Sequence, residues 1–260
     1  MDTVFRVNGE SVLASPLAAG PWDLSMQHGS APSSLAIWAA ERMETAVPMQ
    51  VARLTVDLMR PVPIGELELK TEVLRAGRKI QLCGVRLLAK GVEVVRASVL
   101  KIRRTETPLP GDAGAVPPLD LQLPDACEPM DPEGGIGNPF ITGLSARTAR
   151  GGFRQPGPGA VWFRVDRTIV EGSPVSQAMR AAIASDFSNG VSSVLDFRHW
   201  TFINGDLTVS LAREPVGDWI LLNAQTWLGP DGAGIAAARL GDVTGYFGRA
   251  VQSLVVEPRG

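Results

Sequence analysis

At 260 residues, with 45% hydrophobic and 20% charged residues and a formal net charge of −2, the chain has an ordinary globular composition. That balance gives no electrostatic reason to bind nucleic acid or an anionic membrane, and no apolar run approaches the ~18 residues of a spanning helix. Two cysteines, Cys83 and Cys127, and two histidines, His28 and His199, exclude a disulfide framework and a cysteine- or histidine-rich metal centre.

The opening MDTVFRVNGE lacks the basic and apolar regions of a signal peptide, so a reduced, cytoplasmic protein without metal or cofactor is expected. Residues 3–7 alternate and read as a short strand, followed by a loop through Gly20-Pro21. Residues 29–44 read as a helix, with Pro32 near its start and Leu35, Trp38, Ala39 and Arg42 on one face. Beyond Pro48 the period changes to two. In residues 53–60, Leu54, Val56 and Leu58 fall on one side and Thr55, Asp57 and Met59 on the other. Residues 67–74, 80–88 and 92–102 continue the pattern, broken at Ile64-Gly65, Ala76-Gly77 and Lys90-Gly91. Four such strands with tight turns form an antiparallel meander, long enough to wrap around the preceding helix.

Residues 105–139 hold Pro108, Pro110, Pro117, Pro118, Pro124, Pro129, Pro132 and Pro139. Proline at that density cannot continue a helix or a central strand, so the segment reads as a linker or surface excursion. Residues 140–158 are glycine-rich and patternless, and residues 160–170 read as a strand. Residues 173–190 then carry helix-start chemistry in Ser173 and Pro174, and an apolar stripe at Val175, Met179, Ile183 and Phe187. Asn189-Gly190 supplies a helix end, and Ala178, Ala181, Ala182 and Ala184 permit close approach to a sheet. Asp186 falls in the last turn, where the helix dipole disfavours a carboxylate by roughly 0.3–1 kcal/mol. Strands follow at residues 207–212, 219–228, 233–240 and 247–256.

The second half repeats the first. Leu54-Thr55-Val56 with Arg60 aligns on Leu207-Thr208-Val209 with Arg213 at one constant offset, and Ile64-Gly65 corresponds to Val216-Gly217. A repeat spanning a whole helix-plus-sheet unit means a duplicated α+β domain: residues 1–104, a proline-rich linker over 105–139, and residues 140–260. A helix rolled in a meander, twice in one chain, resembles the double-hotdog acyl-CoA thioesterase II-type family. In the first half the resemblance rests on GPWDLSMQHGSAPSSLA and LMRPVPIGELELKTEVLRAGRKIQ. In the second it rests on ASDFSNG, NGDLTVSLAREPVGDWILLNAQT and GRAVQSLVV.

The resemblance implies an acyl-CoA thioesterase in which an acid, a threonine and a glutamine position a water; by motif match these are Asp186, Thr226 and Gln252. The residue types suit thioester hydrolysis, since an oriented carboxylate base contributes ~10²–10⁴-fold and the thiolate leaves without a covalent nucleophile. Each has a plain structural reading as well: Thr226 is a strand former, and Gln252 can face solvent. His28 and Gly29, opening the first helix, are the candidates for positioning the carbonyl oxygen through backbone amides, although Gly29 also reads as a turn residue. Val73 and Val99 align on Thr226 and Gln252, so one site per chain is expected. Trp38, Phe187, Trp219 and Trp227 could line an acyl tunnel or simply pack the core. Arg75, Arg78, Lys79 and Arg249 fit a solvated surface better than a CoA phosphate site.

Two alternatives stand beside this. Asp23 and His28 have the Asp-x4-His spacing of hotdog enoyl-CoA hydratases, though Trp22, Ser25 and Met26 depart from that pattern. A non-catalytic acyl-binding protein is the other, because a fold does not guarantee activity. Exposed sheet edges favour a homo-oligomer.

Overall fold

The structure is a computed structural model that describes residues 2–111, 113, 117–131, 138–153 and 155–259. The linker read from the sequence also covers positions 112, 114–116 and 132–137, Pro132 among them, which lie outside the described residues. The first half opens with a hairpin of β1 (Phe5–Asn8) and β2 (Ser11–Ala14), of which the sequence reading found only the first strand. Helix α1 (Ser30–Glu41) is followed by β3 (Met49–Leu58), β4 (Gly65–Arg75), β5 (Ile80–Ala89) and β6 (Val92–Arg103), the expected meander. The α1 helix is buried along almost its whole length, which its small residues Ser30, Ala31, Ser33, Ser34, Ala36 and Ala40 permit. It stops three residues short of the expected Glu44. No glycine ends it; Lys101, buried on β6, donates to Ala40 O at 2.8 Å and Met43 O at 2.9 Å and satisfies the free carbonyls.

The second half contains β7 (Glu128–Met130), β8 (Leu144–Arg150), β9 (Gly159–Val165), α2 (Gln177–Ser185) and α3 (Ser188–Val191). It ends with β10 (Trp200–Asn204), β11 (Asp206–Leu211), β12 (Trp219–Leu228), β13 (Ala233–Asp242) and β14 (Gly245–Pro258). The expected cap at Ser173 is displaced: α2 begins after Ser176, whose hydroxyl accepts from Met179 N at 3.2 Å. Ser173 instead accepts from Trp38 Nε1 at 3.1 Å and ties the approach to α2 onto α1. The helix also ends earlier than Asn189-Gly190, which lie inside α3; the break comes at Asp186, the C-cap of α2. Met179, Ile183 and Phe187 are buried as the stripe requires.

All the strands belong to one antiparallel sheet in the order β1-β2-β4-β5-β6-β3-β11-β14-β13-β12-β9-β8-β7, with β10 alongside β14. Each half of that order wraps one long helix, and α1 and α2 pack against each other inside. This is a double hotdog. The seam is the β3–β11 pair, where Thr55 stands opposite Thr208, Leu54 opposite Val209 and Val56 opposite Leu207. Thr55 thus faces its own equivalent, while Leu54 and Val56 each face the equivalent of the other, as a local two-fold axis through Thr55 and Thr208 requires.

The proline-rich segment is more than a loose excursion. Between residues 117 and 131 it lies over the outer face of the second sheet, where Leu119 and Leu121 pack against Trp162, Leu221 and Tyr246. Trp162 Nε1 donates to Gln122 O at 3.0 Å, and Tyr246 OH donates to Asp120 Oδ1 at 2.7 Å. Strand β9, read as a single strand to Val170, is accordingly buried on both faces.

Candidate active site

The N-terminus of α1 meets the C-terminus of α2 at Asp186, which is 4% exposed. Three hydrogen-bond donors and the His28 ring surround its carboxylate. Oδ1 accepts from Asn204 Nδ2 at 3.0 Å and Gln252 Nε2 at 3.1 Å, while Oδ2 lies 3.2 Å from Ser30 Oγ and 3.0 Å from His28 Nδ1. Such a shell offsets both desolvation and the unfavourable end of the α2 dipole. The N-terminus of α1 adds its positive end. Gly29 packs directly on the carboxylate: a Cβ there would sit 2.7 Å from Oδ1 and 2.8 Å from Oδ2, so no side chain fits. Among the described residues no acceptor meets the Gly29 amide.

Above Asp186 opens a cavity of about 930 Å³ bordered by His28, Gly29, Asp186 and Asn204. Its walls come from both halves, Trp22 and residues 58–62 from the first and Phe153, Phe187, Phe197 and Phe202 from the second. Trp22 packs on Phe197 at 4.6 Å and edge-on to Phe202 at 5.5 Å, and Phe187 stacks on Phe163 at 4.9 Å. The volume falls within the ordinary range for small-molecule sites. At the rim, the hydrogen bond from the Arg198 side chain holds the Asp196 carboxyl well below the usual range, and Ser25 does the same for Asp23.

Residues 18–102 match the model of the acyl-CoA thioesterase N-terminal domain, and residues 124–256 match that of the acyl-CoA thioesterase C-terminal domain. The chain belongs to the acyl-CoA thioesterase family. Similar solved structures include a conserved protein of unknown function with a hot dog fold from Alicyclobacillus acidocaldarius, with TM-score 0.78 at 14% identity over 100% of this chain and 97% of that one. They also include the acyl-CoA thioesterase II TesB2 of Mycobacterium marinum, with TM-score 0.70 at 14% identity, covering 98% of this chain and 95% of that one. The tesB protein of Mycobacterium avium subspecies paratuberculosis gives 0.70 at 15% identity over 97% and 95%. A comparison with curated proteins gives no match.

As an acyl-CoA thioesterase the chain is a thioester hydrolase, and its Asp186 cluster can be set against the residues expected from the sequence. Asp186, Gln252, His28 and Gly29 come together. Gln252, however, is fully buried and stands behind the carboxylate, not in the cavity. Its Nε2 also donates to Asp186 O at 3.1 Å and its Oε1 accepts from Asn189 N at 3.2 Å, so it holds Asp186 and α3 in place. Thr226 stands apart: its hydroxyl is 2.7 Å from Ser192 Oγ, just past the far end of α3 from Asp186. Ala236 lies opposite both Thr226 and Gln252, which puts those two residues two strands, roughly 10 Å, apart. Asn204 and Ser30 are the donors that sequence reasoning missed; Asn204-Gly205-Asp206 reads as a hairpin turn and hides its function.

Asp23 does not assemble with His28. It turns back onto Ser25, whose amide donates to Oδ1 at 2.8 Å, so the hydratase-type pair read from the spacing is absent. Of the proposed tunnel residues only Phe187 borders the cavity. Trp38 is half-buried under Arg42, Trp219 lies beneath Arg147 and Arg164, and Trp227 is on the surface.

Proposed function

We propose that this chain hydrolyses an acyl-CoA thioester to free acid and CoA in the cavity above Asp186, with the attacking water activated at the Asp186 cluster. The observation that carries the reading is a buried carboxylate, held by Asn204, Gln252 and His28, at the floor of an aromatic-walled cavity. A fixed negative charge there favours loss of the water's proton within the cluster, and general-base catalysis contributes ~10²–10⁴-fold in comparable sites. The unpaired Gly29 amide supports the other half of the chemistry, since a donor at a helix N-terminus stabilises the oxyanion by ~2.7–4 kcal/mol. Asn204 takes the place in the cluster that the sequence reading gave to Thr226, and Gln252 orients the acid without touching water. The aromatic walls suit an apolar acyl group.

The test is free-thiol release from a panel of acyl-CoAs of graded chain length, with crotonyl-CoA hydration followed in parallel. Hydrolysis of one length class without hydration is the expected result. Hydration without thiol release would establish the hydratase alternative, and neither activity would leave an acyl-binding protein.

A further inference from the structure

We propose that His28 takes the proton from the attacking water through Nε2, and that Asp186 orients and charges the imidazole; this rests on the hydrolytic reading above. The Asp186 carboxylate has little acceptor capacity left. A carboxylate offers about four lone-pair sites, and Asn204, Gln252, His28 and Ser30 face all of them. Ser30 divides its one hydroxyl proton between Asp186 and Ile183 O at 3.0 Å, but Ser30 is fully buried and does not border the cavity. A water proton therefore finds Asp186 open only if a donor leaves.

His28 is differently placed. It borders the cavity, and among the described residues no protein group meets its Nε2. The ring is clamped between Phe140, parallel within 10° at 5.3 Å, and Phe187 at 4.6 Å, so the direction of Nε2 is fixed. Nδ1 lies 3.0 Å from Oδ2, where a bare ring lone pair would face an ionised oxygen, and this repulsion favours the tautomer with the proton on Nδ1. With that proton on Nδ1, Nε2 keeps a lone pair. The Ser30 amide donates to the same Nδ1 at 3.2 Å in the opposite tautomer; against it stands the ionised carboxylate, the stronger partner. The pair also spans the molecule, His28 preceding α1 and Asp186 following α2, so neither half holds it alone.

The step balances with water as the sole co-reactant. As the water oxygen bonds to the thioester carbonyl carbon, one proton passes to Nε2 and the imidazolium forms against Asp186, which stays ionised. When the tetrahedral intermediate collapses, the C–S bond breaks and Nε2 returns its proton to the thiolate sulfur, giving acid and thiol. The other charged groups bordering the cavity are Asp23, Asp196, Arg60 and Arg198. The two acids are held below the usual range by Ser25 and Arg198, so neither titrates near neutrality.

Kinetics and nitrogen-15 NMR on the full chain test this. On the best acyl-CoA of the panel, His28→Gln should lower kcat/KM by about 100-fold or more. Free imidazole should restore part of the rate to His28→Ala, which a merely structural residue would not show. With His199→Gln to assign the two histidine signals, His28 should be the Nδ1–H tautomer. A His28→Gln rate within about threefold of wild type, or an Nε2–H tautomer, overturns the assignment. If Asp186→Asn is then inactive, the hydrolytic reading stands without it. A wild type that releases no thiol from any acyl-CoA removes both.

Discussion

Burying Asp186 at the wrong end of a helix costs free energy that its donors offset, and the identity of those donors separates two accounts of the site. Asn204 spends its amide on Oδ1, whereas Thr226 spends its hydroxyl on Ser192. Asn204→Ala should therefore lower kcat/KM by about tenfold, the equivalent of one charge-assisted hydrogen bond. Thr226→Val should leave it within about twofold, because Ser192 keeps its bond to Ser188 O at 2.8 Å. Thiol-release kinetics on both variants check this, and the opposite ranking would return Thr226 to the site. Asp186, Gln252 and Gly29 were legible because an acid ending a helix, a polar residue in an apolar strand and a glycine opening a helix each stand out locally, and His28 because it adjoins that glycine. Asn204 was not, since asparagine before glycine looks like any hairpin turn.

The elements themselves were legible wherever alternation or a helical stripe was strong, and less so at their ends. Helix α1 ends where Lys101 reaches it from a strand some sixty residues on, a contact that no local signal contains. Strand β13 ends on a comparable long-range device. Asp242 is fully buried, accepts from Arg213 Nη2 at 2.9 Å, Thr244 N at 2.8 Å and Val216 N at 2.7 Å, and so pins the end of β13 to the turn before β12. Burial pushes its carboxyl up, but the hydrogen bonds from Arg213, Thr244 and Val216 outweigh burial and hold it below the usual range. Because folding depresses this pKa, the stability that Asp242 contributes is complete above the ordinary carboxylate value and is lost as pH falls through the depressed one. Asp242→Asn should cost about 3 kcal/mol near neutral pH, as expected for one partner removed from a buried pair, and the deficit should shrink in acid. Urea unfolding at pH 7 and pH 3 measures it. A deficit that grows in acid would contradict this reading.

At the scale of the molecule, duplication was visible in the sequence as a constant offset, but not the consequence that equivalent strands pair with each other. The β3–β11 seam joins two rolled sheets into one, and α1 packs against α2 as well as against its own sheet. The first half alone would expose β3 as a free edge, with Leu54 and Val56 beside it, together with the face of α1 that meets α2. Residues 1–104 by themselves should aggregate or remain unfolded by size exclusion and far-ultraviolet circular dichroism; a folded monomeric half would show that the seam is dispensable. The covering of the second sheet by residues 117–131 escaped sequence reading, because proline density describes what a segment cannot form, not what it lies against.

Both the cavity and the cluster beneath it depend on Asp186 being the charged centre of a thioester hydrolase. The most direct measurement is kcat/KM for wild type and Asp186→Asn on the preferred acyl-CoA, with circular dichroism confirming that the variant is folded. A loss of about 10²–10⁴-fold in a folded variant is predicted. A folded Asp186→Asn that hydrolyses within about threefold of wild type would contradict the account.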